Sequence, residues 1–288
     1  MMTEHHFAFF DEGSKKEIRR ALLKAVAIPG FQVPFSSREM PIARGWGTGG
    51  LQITLSLIGK TDRLKVIDQG SDESVNAVSI KRLVQQTTGV KVTDATAEAT
   101  LIQSRHRIPE VPLTADQLLV LQVPTPEPLR DVEASEAKTR ILHSEEDYSG
   151  AWLQLFEQVM KYGRTATGAD HPVFVHNRYV MAPSPIPRFD NAKLHQSEAL
   201  ILFGAGREKK IYAVPPYTDV RSLAFEDYPF TTESFDGKCC KLCGADDVFL
   251  DEIYDEGTGV TEYQCNDTSY CIEQLNAQTS HKGEVEHA

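Results

Sequence analysis

Apolar residues recur along the chain at two spacings, one typical of strands and the other typical of helices. Apolar residues alternate with other residues between Leu51 and Leu57, which predicts a strand with one buried face. Short apolar runs predict further strands at residues 64–67, 100–103, 118–123, 200–203 and 211–214. The chain is therefore expected to build a sheet from segments that are spread over most of its length.

Helical spacing marks three segments between or beside these strands. A capping box at residues 14–17 predicts a helix that ends at residues 29–30, where Pro-Gly stops it. Apolar residues at 75–84 predict a second helix that ends at Gly89, and residues 148–160 predict a strongly amphipathic third helix. Strands that alternate with helices indicate an α/β or α+β core with a mixed sheet.

Composition divides the chain into three parts. The expected parts are an α/β core at residues 1–128 and 177–236, a helical insertion at 129–176, and a cysteine-rich metal-binding β-hairpin lobe at 237–288. Three prolines at residues 124–128 and an acidic stretch introduce the insertion, which is a candidate docking surface for a partner. The polar tail after Ala277 is expected to be disordered.

Charge and hydropathy exclude some classes of function. The chain has 288 residues and a formal net charge of -11, which argues against general binding to a nucleic-acid backbone. No apolar run approaches the roughly 20 residues of a membrane-spanning helix. The N-terminus lacks a basic region followed by an apolar one, so no signal peptide is predicted. A cytoplasmic location is expected.

All five cysteines lie in one stretch near the C-terminus, from Cys239 to Cys271. Cys240 and Cys243 form a C-x-x-C knuckle, and Cys265 and Cys271 form a second pair. One interpretation is a structural zinc ribbon with four cysteine ligands, and the spacing alone favours it. The alternative is an iron–sulfur cluster that only some of these cysteines hold. Cys239 is either a substitute ligand or, more simply, a bystander.

The segment between the two cysteine pairs is predicted to be a β-hairpin. Val248, Leu250 and Ile253 indicate the first strand, residues 257–259 a glycine-rich turn, and residues 260–263 the return strand. A hairpin of this kind returns the chain to its starting point. It is therefore expected to bring the two cysteine pairs together at one metal site.

Several unusual runs in this order resemble one family, the catalytic J subunits of the bacterial carbon–phosphorus lyase core complex. The runs are residues 18–35, 45–50 (GWGTGG), 66–70 (VIDQG), 105–110 (RHRIPE), 183–187 (PSPIP), 203–209 (FGAGREK) and the four cysteines from Cys240 to Cys271. The resemblance covers nearly the whole chain. It implies a carbon–phosphorus lyase that converts α-D-ribose 1-methylphosphonate 5-phosphate to methane and ribose 1,2-cyclic phosphate 5-phosphate.

The resemblance also implies a radical S-adenosylmethionine enzyme without the usual C-x3-C-x2-C triplet, which this chain likewise lacks. Cys240, Cys243 and Cys265 are expected to hold a 4Fe–4S cluster that binds S-adenosylmethionine. Cys271 is expected to be the catalytic thiol, and Gly30 the glycyl-radical site. After loss of the cluster in air, zinc is expected at the cysteines.

The resemblance further implies a multisubunit assembly with the G, H and I subunits and an ATP-binding-cassette subunit. His106 is expected to bind a metal, for which zinc is a candidate, at the contact with the I subunit. Arg105, Arg107 and Arg207 are candidate contacts for the phosphates of the sugar substrate. The alternative hypothesis is a non-catalytic zinc-ribbon scaffold within a phosphonate-degrading complex.

Overall fold

The computed structural model describes residues 49–105, 107–122, 129, 132–145, 147, 149–162, 173–175, 178–180, 188–204, 211–214, 216–222 and 234–285. Its strands are β1 (Arg63–Asp68), β2 (Lys91–Val92), β3 (Leu101–Arg105), β4 (Leu118–Gln122), β5 (Val173–Val175), β6 (Arg178–Val180), β7 (Leu200–Gly204), β8 (Ile211–Val214), β9 (Val220–Ser222), β10 (Leu250–Asp255) and β11 (Val260–Cys265). Its α-helices are α1 (Gly49–Leu57), α2 (Val75–Thr88), α3 (Glu136–Glu145), α4 (Ser149–Tyr162), α5 (Asn191–Gln196) and α6 (Thr268–Val285). Short 3-10 turns lie at Thr96–Glu98 and Arg188–Asp190.

A mixed sheet forms the centre of the described part, with strand order β2-β1-β3-β4-β7-β8. Strands β2, β1, β3, β4 and β7 are parallel, and β8 pairs with β7 antiparallel. Among the parallel strands this is a doubly wound order, which reverses direction between β1 and β3. Sheets of this kind bind ligands outside the carboxyl ends of the strands at that reversal.

The sheet buries an apolar cluster on each face. Strand residues such as Leu64, Val120 and Leu202 pack with helices α1 and α2 on one face. The alternate residues, including Leu119 and Phe203, pack with residues around α5 on the other face. Near-continuous apolar runs are typical of parallel strands that are covered on both sides. The expected α/β core with a mixed sheet and a cysteine-bearing hairpin is confirmed.

The segment from Leu51 to Leu57 is a helix, so the predicted strand is wrong. Leu51, Ile53, Thr54 and Leu55 are each at most 1% exposed where the helix packs on β3, β4 and β7. A nine-residue helix buried in this way shows apolar residues at strand spacing as readily as at helix spacing. A Cβ at Gly50 would lie 3.0 Å from the Cβ of Gln122, which explains a small residue at this close approach.

Two other predictions differ in detail from the structure. Helix α2 ends at Gly89 as expected, but Val75 is 83% exposed, and Ala77, Ile80 and Val84 form its buried face. The chain after Ala277 continues as helix α6 to Val285, so the expected disorder there is wrong for these residues. The helix begins beside the last cysteines and extends beyond them, which a polar composition alone does not reveal.

Other parts of the sequence-based account stay predictions. The helix expected to start at the capping box of residues 14–17 and to end at Gly30 lies outside the described residues. The division into core, insertion and lobe also stays a prediction, although α3 and α4 do lie within residues 129–176. Among the described residues, no helix is long and apolar enough to cross a membrane.

Candidate metal centre

The β10–β11 hairpin brings the two cysteine pairs together. Its register places Leu250 opposite Cys265, with the turn at the far end of the ribbon. The knuckle joins the base of this ribbon, because the N–H of Lys241 donates to the carbonyl of Tyr263 at 2.8 Å. The N–H of Gly244 closes the knuckle turn on the carbonyl of Cys240, also at 2.8 Å. The predicted hairpin and its role are confirmed.

Four cysteines form one buried group: Cys240, Cys243, Cys265 and Cys271. Their Sγ atoms all lie within 4.8 Å of one another. The Sγ atoms of Cys240 and Cys271 are 3.8 Å apart, and those of Cys243 and Cys265 are 3.5 Å apart. Cys239 is exposed and stands outside this group. The prediction that Cys239 is a bystander therefore agrees with the geometry.

These sulfur atoms can hold a metal ion. Four thiolates around one zinc ion at about 2.3 Å lie about 3.8 Å from one another in a tetrahedron, close to the two distances found here. The donor set also suits an iron–sulfur cluster, because clusters are held by cysteine thiolates. A cluster binds each cysteine through a different iron atom, so its ligand sulfurs lie farther apart than those that share one ion. Two of the six sulfur–sulfur distances match a single-ion site, and all six lie within 4.8 Å.

The pKa values of Cys240, Cys265 and Cys271 are shifted in different directions. Burial opposes ionisation of Cys240, but backbone N–H groups of Cys243, Cys265 and Leu242 lower its pKa to about 6. The N–H groups of Leu242 and Cys265 each lie 3.4 Å from its Sγ atom. Burial raises the pKa of Cys271 to about 12, and the neighbouring thiols add to the shift. Burial also raises the pKa of Cys265. Cys240 is therefore the thiolate to which a cation is first attracted.

The segment between Cys265 and Cys271 docks on the carboxyl end of β1. The N–H of Thr268 donates to the carbonyl of Gly70 at 3.0 Å. Gly70 has a φ of +77°, and a Cβ there would lie 2.1 Å from the carbonyl oxygen of Asn266. Only glycine fits both this backbone conformation and this contact. The VIDQG run thus provides the surface on which the metal centre rests.

Asp267 caps helix α6 and ties it to the β3–β4 connection. Its Oδ1 accepts from the N–H of Tyr270 at 3.1 Å, and its Oδ2 accepts from the N–H of Glu110 at 2.9 Å. Asp267 is 6% exposed, so its carboxylate is shielded from water. An aspartate at this position satisfies one free N–H of the first helical turn and suits the positive end of the helix dipole.

A buried ion pair makes a second connection between the sheet and α6. The side chain of Lys65 on β1 is 0% exposed, and its Nζ donates to Asp72 Oδ2 at 2.7 Å. The same Nζ donates to the carbonyl of Asp94 and to Ser269 Oγ, the latter at 3.0 Å. Ser269 also donates to Asp72 Oδ2. Burial raises the pKa of Asp72, against the opposing effect of Lys65 and Ser269.

The carboxyl ends of β1 and β3 carry a second ion pair at the reversal of strand order. Arg105 binds Asp68 through two nitrogens, with Nη2 at 2.7 Å from Oδ2. The Arg105 side chain is 34% exposed, whereas Asp68 is 4% exposed. Arg105 therefore has one side turned to solvent at the position where doubly wound sheets bind ligands.

Arg107 has a different environment and is 13% exposed. Its Nη2 lies 2.9 Å from Asp190 Oδ1, and its guanidinium lies 3.7 Å from the ring centroid of Phe249. Phe249 belongs to an aromatic group with Phe189 and Phe235, at centroid distances of 5.3 and 5.0 Å. The arginine thus joins Asp190, beside α5, to Phe249, beside β10, and its charge is already paired.

Three residues that the sequence analysis proposed for the site are not among the described residues. Gly30, His106 and Arg207 lie outside the described residues, so their expected roles stay predictions. Sequence reasoning missed Lys65, Asp72 and Ser269. The available signal was a lysine inside an otherwise apolar strand, because a lysine at a buried strand position requires an acidic partner. The aspartate three residues before Tyr270 was the available signal for the helix cap.

Comparison with known proteins gives consistent results. The family described as "Phosphonate metabolism protein PhnJ" matches residues 3–277. "Alpha-D-ribose 1-methylphosphonate 5-phosphate C-P lyase" of Escherichia coli (strain K12) is 53% identical over 277 residues, which is 96% of this chain and 98% of the relative. "Alpha-D-ribose 1-methylphosphonate 5-phosphate C-P-lyase" of Rhizobium meliloti (strain 1021) is 56% identical over 270 residues, which is 94% of this chain and 91% of that relative.

Proposed function

Because the chain belongs to the PhnJ family of phosphonate metabolism proteins, we propose that it cleaves the carbon–phosphorus bond of α-D-ribose 1-methylphosphonate 5-phosphate. Both relatives carry this substrate and this reaction in their names. The proposed reaction site is the buried group of four cysteines, and the structure supports it because this group docks at the carboxyl end of β1. A site there lies beside the position where a doubly wound sheet binds its ligand.

The bond to be broken dictates the class of chemistry. A methyl group on phosphorus is a very poor anionic leaving group, so loss of methyl as a radical avoids the difficult step. The proposed cofactors are a 4Fe–4S cluster and S-adenosylmethionine, which together supply a carbon-centred radical when bound. Cys240, Cys243 and Cys265 are the proposed cluster ligands. Three ligands of this kind leave one iron open for S-adenosylmethionine.

Two residues of the chain have proposed roles in the reaction. Gly30 is the proposed radical site, because a glycine radical has no β-carbon and can flatten and delocalise into both peptide groups. The Sγ of Cys271 gives its hydrogen to this radical and then attacks phosphorus. The attack displaces a methyl radical, which takes a hydrogen atom from Gly30 and leaves as methane, so the glycyl radical is restored. A neighbouring ribose hydroxyl displaces the sulfur and closes the 1,2-cyclic phosphate of the product, ribose 1,2-cyclic phosphate 5-phosphate.

The proposal requires two different states of Cys271. Its thiol must be free in the reaction, whereas the spacing of the four sulfurs suits one ion that binds all of them. We propose that the three cluster cysteines act alone when the cluster is present. After loss of the cluster in air, zinc binds all four. Uptake of the cluster then requires the sulfur atoms to separate.

Substrate phosphates need cationic partners. Arg105 is the proposed phosphate contact among the described arginines, because its side chain is 34% exposed at the carboxyl end of β3. Arg107 is 13% exposed and pairs with Asp190, which suits a structural role. Arg207 stays a candidate from sequence. His106, next to Arg105 in the chain, is the proposed ligand of a further metal, for which zinc is the candidate, at the contact with the I subunit.

The proposed assembly contains the G, H and I subunits and an ATP-binding-cassette subunit. Residues 129–176 are the proposed docking insertion, and its helices expose Ile141, Leu153 and Met160 at 51–57%. Apolar side chains exposed on two neighbouring helices suit contact with another protein. Membership of the family is the basis for this proposed assembly, and we propose that it acts in the cytoplasm.

The direct test of function is an anaerobic assay of the reconstituted protein with its partner subunits. The reaction contains S-adenosylmethionine, a reductant and the phosphonate sugar, and methane is measured by gas chromatography. We expect methane from the wild type and from Cys239→Ser, whose thiol lies outside the buried group. We expect none from Cys271→Ser. Equal methane from Cys271→Ser would contradict the assigned role of the thiol.

A second candidate function is a non-catalytic zinc scaffold, and the single-ion spacing of the sulfur atoms favours it. This hypothesis predicts one zinc per chain, no labile sulfide in an anaerobic preparation, and full function of the complex after Gly30→Ala. The lyase hypothesis predicts iron, sulfide and loss of methane formation in that variant.

A further inference from the structure

Four consecutive residues between Cys265 and Cys271 contact the core. The carbonyl of Asn266 lies against Gly70, and the carboxylate of Asp267 accepts from the N–H of Glu110. The N–H of Thr268 donates to the carbonyl of Gly70, and the hydroxyl of Ser269 joins the buried ion pair. The core thus holds the chain that connects two of the four metal-binding cysteines.

The Ser269 contact is the most buried of these connections. Lys65 is 0% exposed, and all three hydrogens of its ammonium group have acceptors: Asp72, the carbonyl of Asp94, and Ser269. Ser269 shares Oδ2 of Asp72 with Lys65, while Oδ1 of Asp72 has no partner. A desolvated lysine is costly unless it is fully bonded, so replacement of Ser269 leaves an ammonium hydrogen without its acceptor.

The contact of Ser269 affects Cys271 because the two residues lie close together in the same helix. Ser269 and Cys271 lie in the first turn of α6, where the N–H of Cys271 donates to the carbonyl of Asp267 at 3.1 Å. An α-helical turn is rigid and rises about 1.5 Å per residue. Points fixed at Asp267 and Ser269 therefore also fix the backbone from which the thiol of Cys271 extends.

We propose that Ser269, held by the buried pair of Lys65 and Asp72, is a positioning residue that keeps Cys271 in the metal centre at the carboxyl edge of the sheet. The contact joins residues 204 positions apart, from the first strand of the sheet to the last helix. The proposal deepens the proposed function, because Cys271 is also its reactive thiol. Its test uses metal and thiol chemistry, so it can succeed or fail independently of lyase activity.

The contacts that hold the first turn of α6 on the core also matter when a cluster replaces a single metal ion at the cysteines. When the site passes from one ion to a cluster, the sulfurs separate, and the anchored turn of α6 keeps Cys271 beside the sheet. The backbone that carries the thiol thereby stays at the carboxyl end of β1, where the N–H of Thr268 donates to the carbonyl of Gly70.

The test measures the reactivity of each cysteine in the full-length, zinc-loaded protein. Each thiol is alkylated over time and quantified by mass spectrometry. In Ser269→Ala, we expect Cys271 to be alkylated about tenfold faster, the effect of losing one charge-assisted hydrogen bond, and Cys240 and Cys243 to keep their rates. Ser269→Thr keeps a hydroxyl and should restore the wild-type rate.

Two matched controls separate positioning from general loosening. Ser280→Ala makes the same change on an exposed turn of α6 and should leave all rates unchanged. Lys81→Met removes another lysine that binds Asp94, at 2.6 Å, and should also have no effect on Cys271. Lys65→Met should act like Ser269→Ala on Cys271. If Lys65→Met does not fold, the serine variants decide the question alone.

Two results would overturn the proposal. One is an unchanged Cys271 rate in Ser269→Ala. The other is an equal acceleration at all four cysteines together with a lower unfolding midpoint, which means that the serine only stabilises the lobe. Selective acceleration at Cys271 that Ser269→Thr reverses is the supporting result.

Discussion

The Sγ atom of Cys271 lies 3.8 Å from the Sγ atom of Cys240, although 31 positions separate the two residues. The thiol proposed to attack phosphorus is thus inside the group of potential metal ligands. Cys271 therefore has two mutually exclusive roles, one as a ligand of a single metal ion and the other as a free thiol beside a cluster. Which use applies depends on what occupies the other three cysteines.

The first prediction concerns the number of ligands. The metal-free protein should bind one Zn²⁺ through four thiolates. If about 10–16 kcal/mol of zinc binding is shared among four ligands, the loss of one costs about 3 kcal/mol, or roughly a hundredfold in affinity. Each of the single variants Cys240→Ser, Cys243→Ser, Cys265→Ser and Cys271→Ser should show this loss of zinc affinity in a competition titration with a chelator. Cys239→Ser is the matched control and should bind as the wild type does.

The second prediction concerns pH. The pKa of Cys240 is lowered from 9.0 to about 6, so its thiolate stabilises the metal-free fold fully above pH 9, and this contribution is lost as pH falls to about 6. The ultraviolet absorbance of thiolate should show a step near pH 6 that disappears in Cys240→Ser. A first step only above pH 8 would contradict the assigned role of the N–H groups around Cys240.

The third prediction uses two glycines with similar backbone angles. Gly70 and Gly89 have φ of +77° and +71°, but a Cβ meets Asn266 at Gly70 and nothing within 4 Å at Gly89. Gly89→Ala should cost about 1–2 kcal/mol in the free energy of unfolding. Gly70→Ala should cost at least twice as much and also weaken zinc binding. Equal costs would mean that the contact with Asn266 has no energetic importance.

The fourth prediction makes the same change at two arginines. Arg105→Lys should weaken binding of the phosphonate sugar about tenfold, because lysine cannot form two parallel bonds to a phosphate. It should also lower the free energy of unfolding, because lysine cannot replace both bonds that Arg105 makes to the buried Asp68. Arg107→Lys should lower the free energy of unfolding by about 1–3 kcal/mol and leave binding of the sugar unchanged. It loses the contact with the ring of Phe249 and the planar pairing with Asp190. The opposite assignment of effects would place the substrate at Arg107.

The sequence was most informative where local pattern determines structure. The parallel strands β1, β3, β4 and β7 are short apolar runs, and burial on both faces makes such runs recognisable. The cysteine site was predictable because the knuckle, the turn and the second pair are all local features. Helix α1 was not predictable, because its buried residues Leu51, Ile53, Leu55 and Leu57 alternate along the chain as the residues of a strand do.

Contacts between distant residues were the part that no local pattern could show. Lys65 and Ser269 are 204 positions apart, and neither one identifies the other. The lysine inside β1 signalled a buried partner, but only the fold identifies that partner and places it beside Cys271. Local sequence also could not show why residue 70 is a glycine, because the reason is its contact with the carbonyl of the distant Asn266.

The radical mechanism is tested most directly by electron paramagnetic resonance of the anaerobically reconstituted protein, with iron, sulfide, S-adenosylmethionine, a reductant and the partner subunits. We predict a glycyl radical signal that is absent in Gly30→Ala, and formation of 5'-deoxyadenosine, measured in the same samples by liquid chromatography. A verified cluster that yields no radical and no cleavage would contradict it. That result would support the zinc scaffold and return Cys271 to the metal ligands.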